Sequence, residues 1–325
     1  MATSGTAKAA KLPTLVEVLS GQAIGILIGL AVLVVGLSLA TPLFFTVDNL
    51  LNVLLQSATY IIVAIGMTFT IVTGCVDLSV GSVAAFSSVV MALAMKGKVP
   101  VAGSIAMGLV VGVACGVLNG VGVGWARLPA FIVTLATQNI VRGLALIATQ
   151  GVPIYGFPKS FRMFGTGRIW GIPIASLISL LVFAVGAFVF TRTKIGHYAT
   201  AIGGNEDATR LCGINVRKYR IVVYMISGFA AALAGVIITA RLNTAEPLTA
   251  FGIEGDAIAS VIMGGTSLSG GKGTVIGTVL GALVMAVLRN GMNLLSVQAY
   301  YQQVIMGIVI LSAVFMDRIK TANRS

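Results

Sequence analysis

Residues 219–240 read YRIVVYMISGFAAALAGVIITA, and after Arg220 the next 20 positions carry no charge. At 1.5 Å of rise per residue, such a run covers the roughly 30 Å hydrocarbon core of a bilayer. Lipid gives the backbone no hydrogen-bond partners, so a spanning segment is either a helix or a strand of a closed barrel. Barrel strands are alternating segments of about ten residues. This run is long and continuous, which selects the helix. The same texture recurs along the chain: 57% of the 325 residues are hydrophobic and 9% are charged. A soluble domain carries about 25% charged residues, so there is too little polar surface here to coat a water-soluble globule. The expected fold class is all-α, a polytopic membrane protein of about ten transmembrane helices with both termini cytoplasmic.

The expected spans lie near 23–41, 50–74, 78–95, 99–123, 130–149, 171–191, 219–240, 255–270, 274–295 and 299–316, with glycines interrupting the pattern around Gly74–Gly81 and Gly264–Gly273. Residues 1–22 and 317–325 are read as cytoplasmic tails flanking a membrane domain, 23–316. Lys8 and Lys11 precede the first apolar run, and Ser38-Leu39-Ala40 has the form of a signal-peptidase site. The run is longer than a signal sequence needs and further spans follow, so an uncleaved first span is expected. Orientation comes from the Lys and Arg count. With the N-terminus inside, 13 cations fall on the cytoplasmic side and 6 outside, Arg142 and Arg289 lying within spans. Two loops stand out, an outer one over 150–170 and an inner, charge-dense one over 192–220.

The net charge of +12 is read as this cytoplasmic cation bias and not as a nucleic-acid surface. Cys75, Cys115 and Cys212 have no metal-ligand spacing and read as reduced packing residues. The single His197 is expected in a polar loop. A short echo links Gly74-Cys75-Val76-Asp77-Leu78-Ser79-Val80-Gly81 with Gly264-Gly265-Thr266-Ser267-Leu268-Ser269-Gly270-Gly271 in its Gly and Leu-Ser spacing. Internal repeats are common in transporters, and chance clustering of glycine explains four matches as well.

Within the inner loop, Asn205 is placed to cap a helix. Glu206 and Asp207 suit the positive end of the helix dipole, Arg210 the negative end, and Gly213 the left-handed position beyond it. These signals predict a two-turn helix that is marginal alone in water. It is either a docking element or a solvated turn between spans.

The stretch Ala201-Ile202-Gly203-Gly204-Asn205 through Gly213-Ile214, with Tyr224 and Ser227-Gly228 after it, resembles the cytoplasmic coupling loop of sugar ABC permeases, the ribose type above all. The resemblance extends through Thr41-Pro42, Phe45-Thr46, Asn49-Leu50, Gly66-Met67-Thr68 and Asp77-Leu78-Ser79-Val80-Gly81-Ser82. It continues in Ala130-Phe131-Ile132, Thr134-Leu135, Arg142-Gly143, Gly264–Leu268, Gly270–Gly273, Asn290-Gly291 and Asn293-Leu294. Cys75 departs from the small residue usual there, and the first 22 residues match nothing. The resemblance implies a homodimeric pore in a bacterial inner membrane, with a separate ABC ATPase that uses ATP and Mg. It also implies a periplasmic sugar-binding protein on the outer face. It makes Gly203, Gly204, Asn205, Glu206, Asp207, Ala208, Arg210, Leu211, Gly213 and Ile214 the ATPase-coupling residues. Lys159, Arg162, Arg168 and Arg241 form an outer cationic set suited to steering a docking protein, or are ordinary solvated loop charges.

A carboxylate or guanidinium within a membrane segment is a functional candidate by default. Asp77 is read either as a cap on the third helix or as part of a gate or passage, together with Ser79. Arg142 either lines a pathway or pairs with a carbonyl. Further pathway candidates are Asn52, Gln56, Thr68, Phe131, Thr134, Thr137, Gln138, Asn139, Asn290 and Asn293. For each polar one the competing role is helix–helix hydrogen bonding.

No ATPase is legible in the chain itself. Thr266–Gly273 comes nearest to a phosphate loop, but Thr266 stands where the first Gly is required and Gly273 where Ser or Thr is required. An ion-coupled secondary transporter would carry more intramembrane acids than Asp77 and Asp256. An intramembrane enzyme would need a nucleophile–base pair or a metal cluster, and a lone channel remains a further rival.

Overall fold

The computed structural model describes residues 21–322. The first twenty positions of the expected N-terminal tail, with Lys8 and Lys11, lie outside the described residues, as does Arg324. The helices are α1 (Gly21–Ala40), α2 (Val47–Ile71), α3 (Val80–Lys96), α4 (Val101–Gly124), α5 (Ala130–Thr149), α6 (Lys159–Thr166), α7 (Ile174–Arg192), α8 (Lys194–Gly204), α9 (Glu206–Leu211), α10 (Val216–Leu242), α11 (Ile253–Met263), α12 (Val275–Leu294) and α13 (Ala299–Ala322). Among the described residues, strands are confined to two two-residue pairs, β1 (Ile154–Tyr155) with β4 (Thr244–Ala245) and β2 (Arg168–Ile169) with β3 (Ile172–Pro173). Six helices, α2, α4, α5, α7, α10 and α12, are long and apolar enough to cross a membrane. The protein is therefore an all-helical, multi-pass membrane protein.

The 27-residue α10, about 40 Å long, is the central strut and packs against α4, α2 and α3. Its closest partner is α4, which carries a glycine every fourth residue, Gly112, Gly116, Gly120 and Gly124 facing α10 and Gly108 facing α3. A Cβ on Gly116 would overlap the Tyr224 carbonyl, and one on Gly228 would overlap the Gly112 carbonyl. Lipid supplies no hydrophobic drive between helices, so small residues that bring backbones into contact supply the attraction. Tyr224, Met67, Phe69 and Ile62 are buried within this core.

The two ends of the bundle differ. At one end sit α8 and α9, with Gly203 against Val72 and Gly271. At the other, β1 pairs with β4, Lys96 Nζ donates to the Gly156 carbonyl at 3.4 Å, and α6 packs on α10 around Gly165.

The eighth expected span, 255–270, differs from the structure. Its helix is α11, only 11 residues, about 16 Å. The helix stops at Met263 because Gly265 adopts φ +89° and Gly270 and Gly271 are also left-handed. The segment nevertheless reaches from one end of the bundle to the other, since Ala245 lies in the strand pair and Gly271 beside Gly203. Much of its non-helical backbone is covered by protein, with Ala245, Thr249, Thr266 and Ser267 buried, while Leu248 and Phe251 stand exposed. Irregular backbone is tolerated at membrane depth only under such cover. Residues 72–79 between α2 and α3 behave the same way. The echo noted in the sequence does not hold in its own register: the turns match with Gly74 against Gly265 and Cys75 against Thr266, one position off the sequence alignment. Gly74 and Cys75 donate to the Ile71 and Thr70 carbonyls, as Gly265 and Thr266 donate to those of Ile262 and Val261. The two turns touch through Gly271 N–H, which donates to the Val72 carbonyl at 2.9 Å.

One smaller expectation changes, that for His197, and the loops and the C-terminal segment gain detail. The inner loop is two helices, α8 and α9, and His197 lies on α8. The outer loop carries α6. The expected C-terminal tail from 317 is helical as far as Ala322.

Candidate functional site

Three groups of side chains draw together most of the candidates. The first is the α8–α9 corner. Asn205 Oδ1 accepts the Ala208 amide at 2.9 Å, and Gly213 closes the turn with φ +78°. Glu206 accepts from Arg210 at 2.6 Å and also from Arg220 on α10. The short helix is thus clamped to the central strut, while Leu211 stands 89% exposed at its end. Gly203 seats α8 directly on the two irregular turns. Asp207, Ala208 and Arg210 are exposed and Ile214 half-buried.

The second group surrounds Asp77. Its Oδ1 accepts the Ser79 amide (3.0 Å) and hydroxyl (2.6 Å), and its Oδ2 accepts the Ser227 hydroxyl (2.7 Å). Asn119 Nδ2 donates to Ser79 Oγ at 2.8 Å, and the Asn119 carbonyl oxygen is buried without a partner. Ser227 lies 11 residues from the start of α10 and 15 from its end, about 17 and 22 Å. Asp77 therefore sits near the middle of the bundle, deeper than its place at a span end suggested. It organises the turn before α3, though the helix's N-cap residue Ser79 makes no side-chain cap bond. At 1% exposure the carboxylate is spent on protein donors.

The third group lies toward the strand-pair end. A cavity of about 430 Å³ is lined by Gln56, Arg241, Glu246, Asp256, Arg289 and Asn293, among others. Arg289 donates to Asp256 Oδ2 at 2.7 Å, one of the pairings that make charge affordable inside a membrane protein. Next to it, Arg142 Nη1 donates to the Pro247 and Thr249 carbonyls at 2.7 and 2.9 Å, and Gln138 donates to Glu254 at 3.3 Å. These bonds tie α5 to the 246–252 loop and to the first turn of α11.

The remaining candidates scatter. Asn290 exchanges amide hydrogen bonds with Asn49 at 2.9 and 3.1 Å, joining α2 to α12. Thr68 bonds Thr278 at 2.8 Å, and Thr134 bonds the Ala130 and Val76 carbonyls. The Asn49–Asn290 and Thr68–Thr278 bonds fasten helix to helix, while Thr134 bonds its own helix and the turn before α3. Asn139 bonds within its own helix, Thr137 is half-buried, and Asn52 and Phe131 are exposed. Lys159, Arg162 and Arg168 are exposed on α6 and β2, whereas Arg241 turns into the cavity. Arg289, Asp256, Tyr60, Glu254, Ser227 and Asn119 were not singled out as site residues from sequence. One signal was available: Arg289 and Asp256 are opposite charges in neighbouring apolar segments, each too costly to leave unpaired. Among the described residues, no group of three or more His, Cys, Asp or Glu gathers at metal-binding distance.

The fold is that of a helical multi-pass membrane protein, and comparison with known proteins gives the class. A family model described as branched-chain amino acid transport system / permease component matches residues 49–314, and the chain belongs to that family. Its curated relatives include a ribose import permease protein of Haemophilus influenzae, 44% identical over 294 residues, covering 89% of this chain and 91% of that one. A ribose import permease protein of Bacillus subtilis is 43% identical, covering 93% and 94%. A D-allose transport system permease protein of Escherichia coli K12 is 41% identical, covering 87% of each. No solved structure matches.

Proposed function

We propose that this chain is the translocation subunit of a bacterial ABC importer for ribose or a closely similar monosaccharide. The observation that carries the reading is collinear identity of 44% with a ribose import permease over nine-tenths of both chains. The alternative of an ion-coupled secondary transporter has no support among these relatives. In this reading the chain crosses the inner membrane ten times with both termini inside, the eighth crossing being the partly irregular segment around α11. It hydrolyses no ATP itself; ATP and Mg belong to a partner ATPase. A periplasmic binding protein delivers sugar to the opposite face, where Lys159, Arg162 and Arg168 stand ready to steer it. Two copies of the chain form the pore.

The mechanism follows from the links in the chain. Motion of the ATPase moves α9, whose Glu206–Arg220 pair passes it to α10. Through Gly203 it also reaches the turns at Val72 and Gly271. Seven residues further along α10, Ser227 holds Asp77, so both routes converge on the start of α3. Closing of the ATPases thereby shifts α3 and α10 relative to α4 and opens the outer side; reset returns the inward-facing state.

The test is reconstitution. Proteoliposomes with the ATPase and binding protein take up ribose only with ATP, and uptake survives dissipated ion gradients; uptake that tracks the gradients instead would reject the reading. Orientation has its own probe: Cys212 is exposed whereas Cys75 and Cys115 are buried. A membrane-impermeant maleimide should label inverted vesicles and not intact spheroplasts.

A further inference from the structure

We propose that the cavity between α2, α10, α11 and α12 is a receiving subsite for a neutral polyhydroxylated solute, with the Arg289–Asp256 pair as its recognition element; this rests on the transport reading above. Its volume of about 430 Å³ falls in the range of small-molecule sites. It lies at the end of the bundle away from α8 and α9, where a solute handed over from the outer face would arrive.

The lining states the ligand's chemistry. Two cations, Arg241 and Arg289, are matched by two anions, Glu246 and Asp256, so the cavity carries no formal net charge and no pull on an ion. The Gln56 amide offers donor and acceptor together, and the Asn293 amide, whose Oδ1 already accepts from Gln302 at 2.8 Å, adds its N–H donors, which a hydroxyl can use. Arg289 is held by Asp256 at 2.7 Å and lies 5.8 Å from the centre of the Tyr60 ring. Its Nε is buried and has no partner. The guanidinium is therefore fixed in place with a donor in reserve. A sugar hydroxyl can accept from Arg289 and leave the ion pair intact. A zwitterionic amino acid that used the charges of Arg289 and Asp256 would have to break their pair, leaving buried charge uncompensated. The balanced charge and the amides of the lining suit the hydroxyls of a sugar.

The decisive experiment uses the complete transporter in nanodiscs, carrying Gln56→Cys, with a water-soluble thiol reagent. Ribose at tens of millimolar should slow labelling of position 56 at least threefold and leave labelling of the native Cys212 unchanged, while L-leucine at equal concentration should protect neither. In proteoliposomes, Asn293→Ala and Asp256→Asn should reduce ribose uptake about tenfold, with ATPase stimulation by the loaded binding protein retained within twofold. Absence of ribose protection in a complex that still transports ribose overturns the subsite and leaves the transport reading standing. So does normal uptake by both variants. A wild-type complex that imports leucine and not ribose overturns both.

Discussion

Gly203 and Gly204 end the same helix and differ by one position, yet the structure assigns them opposite tolerances. A Cβ on Gly203 would overlap the Val72 carbonyl and stand 2.5 Å from the Gly271 nitrogen, whereas one on Gly204 would meet nothing within 4 Å. Ordinary contact begins at 3.4 Å. In Gly203→Ala, α8 must therefore retreat by at least 3.4 − 2.5 = 0.9 Å from two backbone segments, neither of which can swing aside as a side chain would. Forced overpacking of this kind costs about 1–3 kcal/mol. Gly204→Ala should lose nothing and gain up to ~1 kcal/mol from a stiffer unfolded chain. The two variants should differ by roughly 2 kcal/mol in the melting of the purified permease. In the reconstituted importer, Gly203→Ala should lower ribose uptake per ATP hydrolysed, because α8 no longer rests on the turns that lead to Asp77. Equal stability and equal coupling in the two variants would refute the claim that α8 acts through this contact.

Ser227→Ala removes a hydroxyl donor from a buried carboxylate and should destabilise the permease by about 1.5–3 kcal/mol, read as a lowered melting temperature; Ser227→Thr should retain most of the stability. Asn205→Ala deletes the cap of α9 at a cost of about 1 kcal/mol and Asn205→Asp keeps it, a difference visible as faster hydrogen exchange at the Ala208 amide in the first variant alone. Gly116→Val drives a branched side chain into the α10 backbone and should abolish folded protein in the membrane fraction, while Gly25→Val, with open space around it, should accumulate normally.

The sequence determined the elements whose causes are local. Apolar runs without charge marked the long helices to within a few residues, because length and the cost of charge in lipid act on each segment separately. The caps and dipole charges of α9, from Asn205 to Gly213, were legible for the same reason. Tertiary structure decided whatever depends on which segments meet. It cut the eighth span to the eleven residues of α11, since only surrounding protein can shelter the irregular turns on either side. It carried Asp77 to mid-bundle, because Ser227, 150 positions away, is the donor that holds it there. It separated Asn290, spent on a neighbouring helix, and Thr134, spent on its own helix and the turn before α3, from Gln56 and Asn293, which face a cavity, although all four are polar residues in apolar helices. And it joined Arg289 to Asp256: each charge was visible alone, but their pairing depends on how α11 packs against α12, a distance set by the approach of Gly281 to Ser260 and Gly264 to Gly277, which spacing along a single chain does not encode.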